Sequence, residues 1–103
     1  MPKVLVAVPG EPVAFANVKE SKESIAGLLG GPLECVRLER GLTLYCNGQG
    51  NADDLPINPH FSQGLVRGPI VIAREEAAGT VGGIEDSEIP WIMDAYIRTD
   101  DFV

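Results

Sequence analysis

The residue types able to do bond-breaking chemistry are few in this chain and far apart in sequence. The single histidine, His60, lies in Asn58-Pro59-His60-Phe61, and no serine or cysteine sits in a recognisable nucleophile setting, so no triad can be assembled. His60 reads as a surface or loop-packing side chain, with a general base of a nucleotide-cleaving enzyme as the remote alternative. Two cysteines, Cys35 and Cys46, with one histidine give no zinc spacing. Asp53-Asp54 lacks the ligand spacing and terminal glutamate of a calcium loop. Gly48-Gln49-Gly50 is not a G-x-G-x-x-G phosphate loop, yet Asn47-Gly48 and Gly50-Asn51 could turn several backbone N–H groups toward an anion, or form a simple turn. No catalytic residue, metal ligand or cofactor is assigned.

Recognition chemistry is better represented. Arg37 and Tyr45 fall on one side of a hairpin with Thr43 between them, and an arginine, a phenol and a hydroxyl can pair a phosphate, stack on a base and hydrogen-bond a sugar. Arg67, near the end of a long loop, could close over such a ligand, and Asn47 and Asn58 complete the expected contact set. The competing reading makes these residues a solvated sheet face, or a second layer beneath a helix.

The element that must position them is the stretch from Gly31 to Gly48. Two runs rich in apolar, β-branched and aromatic residues flank Glu39-Arg40-Gly41, whose glycine suits the positive φ of a type I turn with a G1 bulge. The register then pairs Leu38 with Leu42, Val36 with Leu44 and Glu34 with Cys46. Val36, Leu38, Leu42, Leu44 and Cys46 share a core side; Cys35, Arg37, Thr43 and Tyr45 share the other, expected to be an exposed mixed surface. The two cysteines face apart, so both are expected to be reduced, as in a cytoplasmic protein.

Around this hairpin, residues 3–8 read as a buried strand and residues 12–18 as a second, joined by a Pro-Gly-Glu-Pro turn. Ser21 is the expected N-cap of a two-turn helix with Glu23 in its first turn and Ile25, Leu28 and Leu29 on one stripe, stopped at Gly30-Gly31-Pro32. Residues 47–69 form an irregular stretch longer than ordinary loops, the first place to look for a site. Residues 69–74 read as another buried strand, and residues 75–83 as a polar connection. A last helix starts at Asp86 or Ser87 with Pro90 in its first turn and a stripe of Ile89, Ile92, Met93, Tyr96 and Ile97.

The 103 residues suit one domain, 1–103, and the composition, 45% hydrophobic and 22% charged, is too apolar for general disorder. Residues 1–74 hold seven acids and seven bases, so the net charge of −7 arises entirely after residue 74. A nucleic-acid partner is not expected, because no broad basic footprint exists. No apolar run reaches the length of a membrane span, and Val4 to Val8 is too short for a signal peptide.

The order of pieces is familiar. Leu28-Leu29-Gly30-Gly31, Leu33-Glu34-Cys35-Val36, Leu42 to Gly50, Leu55-Pro56-Ile57-Asn58 and Arg67-Gly68-Pro69-Ile70-Val71-Ile72, spread over most of residues 3–98, resemble a family of small domains of unknown function, the 3846 family, found in phages, plasmids and other mobile elements. Where that family commonly has a glutamate after Asn47 this chain has Gly48, and residues 51–64 are its own. The resemblance implies a mobile-element setting and a role against host defence, located in the host-cell cytoplasm.

Together these readings predict an α+β domain: a mostly antiparallel sheet of about five strands with a central hairpin, covered by the short helix and the C-terminal amphipathic helix. The expected function is non-catalytic, a homo-oligomeric sponge that sequesters a nucleotide-derived immune signal through Arg37, Thr43, Tyr45, Asn47, Asn58 and Arg67. The alternative is an acidic inhibitor or decoy that engages a host defence protein through Glu85, Asp86, Glu88 and Asp94.

Overall fold

The computed structural model describes residues 1–50, 53–76 and 80–98. In chain order it contains β1 (Lys3–Ala7), β2 (Ala14–Asn17), α1 (Lys22–Leu29), β3 (Leu33–Arg37), β4 (Leu42–Asn47), β5 (Ile70–Glu75), β6 (Val81–Gly82) and α2 (Ile89–Tyr96). The sheet order is β2-β1-β5-β4-β3, with β6 pairing a further part of β5, and every named pairing is antiparallel. The α+β expectation holds, and the two-residue β6 is an addition inside what reads from sequence as a polar connection.

The hairpin forms in the expected register, Glu34 opposite Cys46 and Val36 opposite Leu44. Its turn places both Arg40 (φ 60°) and Gly41 (φ 74°) in the left-handed region, one residue more than a single bulge glycine requires. The hairpin is central in sequence but not in the sheet. β5 takes the middle, and β3 is an edge strand whose residues after Leu33 are exposed.

Two helices cover opposite faces. On one face, Leu5, Ala7, Leu42, Leu44, Cys46, Ile70 and Ile72 pack with Phe61 and with Ile92 and Tyr96 of α2. On the other, Val4, Tyr45, Val71 and Ala73 pack beneath Ile25 and Leu29 of α1. Inner strands covered twice read as unbroken apolar runs, and Ile70 to Ala73 of β5 is such a run.

Helix α1 starts at Ser21, whose hydroxyl accepts from the Ser24 N–H, and ends at Gly30 in the left-handed conformation (φ 76°), as its sequence predicts. Helix α2 is entered through a 3₁₀ turn, Asp86–Glu88. The 3₁₀ turn is capped by Glu85, which forms a reciprocal capping box with Glu88, and Glu88 in turn is the N-cap position of α2, so neither Asp86 nor Ser87 caps it. Pro90 takes the first turn, and Ile97 leaves the helix to bridge Phe61. No helix among the described residues is long and apolar enough to cross a membrane.

Candidate functional site

The expected exposed face of the hairpin is not exposed. Thr43 and Tyr45 are each 1% accessible, because α1 lies over that side of β4. Burial, then the nearby Cys35 and Glu75, push the Tyr45 phenol up from its usual range, which suits a neutral core tyrosine. Arg37 remains exposed at the edge, 3.6 Å from the Glu75 carboxylate. The trio of Arg37, Thr43 and Tyr45 therefore forms no open pocket.

Asn47 and Asn58 are buried and hold backbone in place. The Asn47 amide donates to the Leu29 carbonyl, 3.2 Å, and its side-chain oxygen accepts from the Gln49 N–H, 2.8 Å. With Gly48 N–H donating to Pro32 and Gly50 N–H to the Asn47 carbonyl, the backbone donors of residues 48–50 are all used internally. They form a turn, not an anion cradle; Asn51, the last member of that expectation, lies outside the described residues. Asn58 donates to the carbonyls of Ala7 (2.9 Å) and Gly68 (3.0 Å) and accepts from the His60 N–H (2.9 Å).

His60 has a structural place as well. Its Nε2 lies 2.7 Å from the Glu11 carbonyl and 3.2 Å from that of Val8, which ties the long loop to the turn between β1 and β2. Among the described residues no group of three histidine, cysteine or acidic side chains is placed to hold a metal.

What the long loop does create is a cleft. Residues 61–67 stand over the α2 face of β3 and β4 and enclose about 170 Å³, with Val36, Leu44, Phe61, Leu65 and Val66 as apolar walls. Cys46 lies in it with its thiol pushed up by burial and by the adjacent Glu34, so it stays protonated and poorly nucleophilic. Glu34 and Arg67 add opposite charges. Arg67 is steadied by donating to the Leu55 carbonyl (2.9 Å), and Asp54 is 3.5 Å away. Of the six expected contacts, Asn47 and Arg67 border this cleft; Glu34, which the sequence reading placed only in the hairpin register, is its other charged residue.

A family model described as Domain of unknown function (DUF3846) matches residues 2–97. The chain belongs to that family. The match spans both edge strands, both helices and the cleft of this DUF3846 domain. Searches of the curated proteins and of the solved structures return no match.

The acids expected to form a docking surface are largely engaged in the domain itself. Glu85 and Glu88 form the capping box of the 3₁₀ turn that leads into α2, Asp86 pairs with Lys3, and Glu88 pairs with Arg74. Asp100 and Asp101, which contribute to the late negative charge, lie outside the described residues.

Proposed function

We propose that the domain is a non-catalytic binding module that takes the base of a small nucleotide-like ligand into the cleft beneath residues 61–67. The observation that carries this reading is the combination of apolar walls with Glu34 and Arg67 in one concavity. A carboxylate accepts from the amino and imino groups of a base, while a guanidinium donates to its carbonyl oxygens or to a phosphate. With Glu34 in the cleft and Asp54 beside Arg67, the site favours a base with a single phosphodiester over a polyphosphate. In the mobile-element setting that the resemblance implies, such a module acts as a sponge for a nucleotide-derived immune signal.

The test is thermal unfolding with and without cyclic dinucleotides, cyclic ADP-ribose isomers and linear nucleotides, followed by chromatographic recovery of whatever binds. A ligand at 100 times its Kd adds about 2.7 kcal/mol to stability. The stabilisation is expected to disappear in Arg67→Ala and Glu34→Ala and to survive in Arg37→Ala, whose side chain leaves the opposite face of the sheet. No stabilisation by any member of the panel overturns the reading, and recovery of a converted ligand overturns its non-catalytic part.

A further inference from the structure

Ordinary ligand pockets enclose roughly 300–1,000 Å³, so a cleft of about 170 Å³ accommodates part of a nucleotide ligand, not all of it. Its unfinished side is the side of β3. Glu34 and Val36 of that strand line the cleft, and Val36 and Leu65, both cleft-lining, are 47% and 71% exposed. Beyond β3 the sheet has no further strand among the described residues.

The hydrogen-bond phase of the hairpin shows what that edge offers. Gly48 N–H donates to Pro32 and Leu38 N–H to Leu42 at the two ends of the ladder, which makes Pro32, Glu34, Val36 and Leu38 the inward-bonding positions. Leu33, Cys35 and Arg37 therefore turn their backbone N–H and C=O groups outward. Natural edges are commonly blunted by charged side chains, proline or a bulge; β3 has no proline and an unbroken register within Leu33–Arg37, and its charges are Glu34, on the cleft side, and Arg37, beside Glu75.

We infer that two copies of the chain join antiparallel along β3, about a two-fold axis perpendicular to the sheet and midway between the two Cys35 residues, and that the paired clefts form one site for a ligand carrying two bases. This rests on the nucleotide-binding reading of the cleft. A centre at Cys35 uses all five residues of β3: Leu33 bonds Arg37 of the second copy, and Cys35 bonds its own equivalent. Glu34 and Val36 of opposite copies become a non-hydrogen-bonded pair, the closer kind of cross-strand neighbour. Such an axis keeps the same sheet face up in both copies. The two clefts then lie side by side, and each receives Glu34 and Val36 of the second copy along its open side. A two-fold site of this kind fits a cyclic dinucleotide better than a mononucleotide.

The test is the solution mass of the whole chain, at micromolar and submillimolar concentration, by light scattering after size-exclusion chromatography. The wild type is expected at twice the chain mass. Val36→Glu sets a carboxylate opposite Glu34 twice per dimer, and is expected at the single-chain mass under the same conditions. Adding Glu34→Lys to Val36→Glu makes those pairs attractive and is expected to restore the dimer. Cys35→Pro removes an outward N–H that an isolated edge strand does not use, so it should yield a folded monomer.

A wild type that stays monomeric, or a Val36→Glu variant that stays dimeric, overturns the interface. Calorimetry with a cyclic dinucleotide then reads the site: one ligand per two wild-type chains, with affinity at least tenfold lower for the monomeric Cys35→Pro, whose altered residue does not line the cleft, supports it. One ligand per chain, or equal affinity in the monomeric variant, overturns the shared site. Failure of every nucleotide to bind strikes the cleft reading instead and leaves the mass result standing.

Discussion

Single side chains in this domain divide into those that hold the cleft open and those that merely sound like ligand contacts. Asn58, expected from sequence to touch ligand, is of the first kind. It satisfies two buried carbonyls and one buried N–H, so Asn58→Ala is expected to cost about 2–4 kcal/mol in urea unfolding. Arg67→Ala, which removes a partly exposed group, is expected to cost under about 1 kcal/mol while abolishing nucleotide stabilisation. Thr43 makes a complementary case. Its hydroxyl is buried and finds no partner among the described residues, so Thr43→Val is expected to raise stability by about 1 kcal/mol. Glu88 supplies a pH dependence. The hydrogen bond from Arg74, reinforced by the Glu85 N–H, holds its carboxyl below the usual glutamate range. A depressed folded-state pKa stabilises the fold above the ordinary glutamate value of about 4.3, and that contribution fades as pH falls through the lowered one. Glu88→Gln is therefore expected to lose about 1–2 kcal/mol at neutral pH and to show a shallower loss of stability on acidification, followed by denaturant titration from pH 7 to pH 3.

At the scale of elements, most boundaries are written in local chemistry. Ser21 and Gly30 delimit α1, and the hairpin register follows from Glu39-Arg40-Gly41. The site was less legible for a physical reason. Tyr45 and Thr43 alternate with apolar residues along β4, the pattern of a strand with one wet face, and what buries them is an eight-residue helix whose docking position no local signal encodes. The cleft is hidden for a similar reason, since residues 61–67 reach β3 and β4 through the contacts of Asn58 and His60, which are tertiary. One junction is close enough to test. A methyl group on Gly31 would come within 2.7 Å of the Asn47 amide that caps the end of α1, so Gly31→Ala is expected to destabilise by about 1–3 kcal/mol. The change should appear as weaker far-ultraviolet helix signal as well as a lower Tm.

For the molecule as a whole, the sheet order sets a gradient of local stability. β5 is paired on both sides and buried on both faces, whereas β2 and β3 each have one neighbour among the described residues. Amide hydrogen exchange is expected to be slowest in Ile70 to Ala73 and faster in the outward-facing amides of β3, by orders of magnitude. If β3 pairs with a second copy, Cys35 and Arg37 should gain protection with rising protein concentration while β2 does not.

The place of β5 also has a temporal meaning. Both of its long neighbours precede it in the chain: β4 pairs Leu44 with Ile72, and β1 pairs Leu5 with that same Ile72. Until the segment after Pro69 is available, the β1–β2 and β3–β4 hairpins have nothing to place between them. During that interval the two hairpins carry apolar surface on separate, unjoined halves. Joining the two halves has to wait for that one strand, so its pairing with both hairpins is a long-range closure, the slow kind of step in forming a sheet.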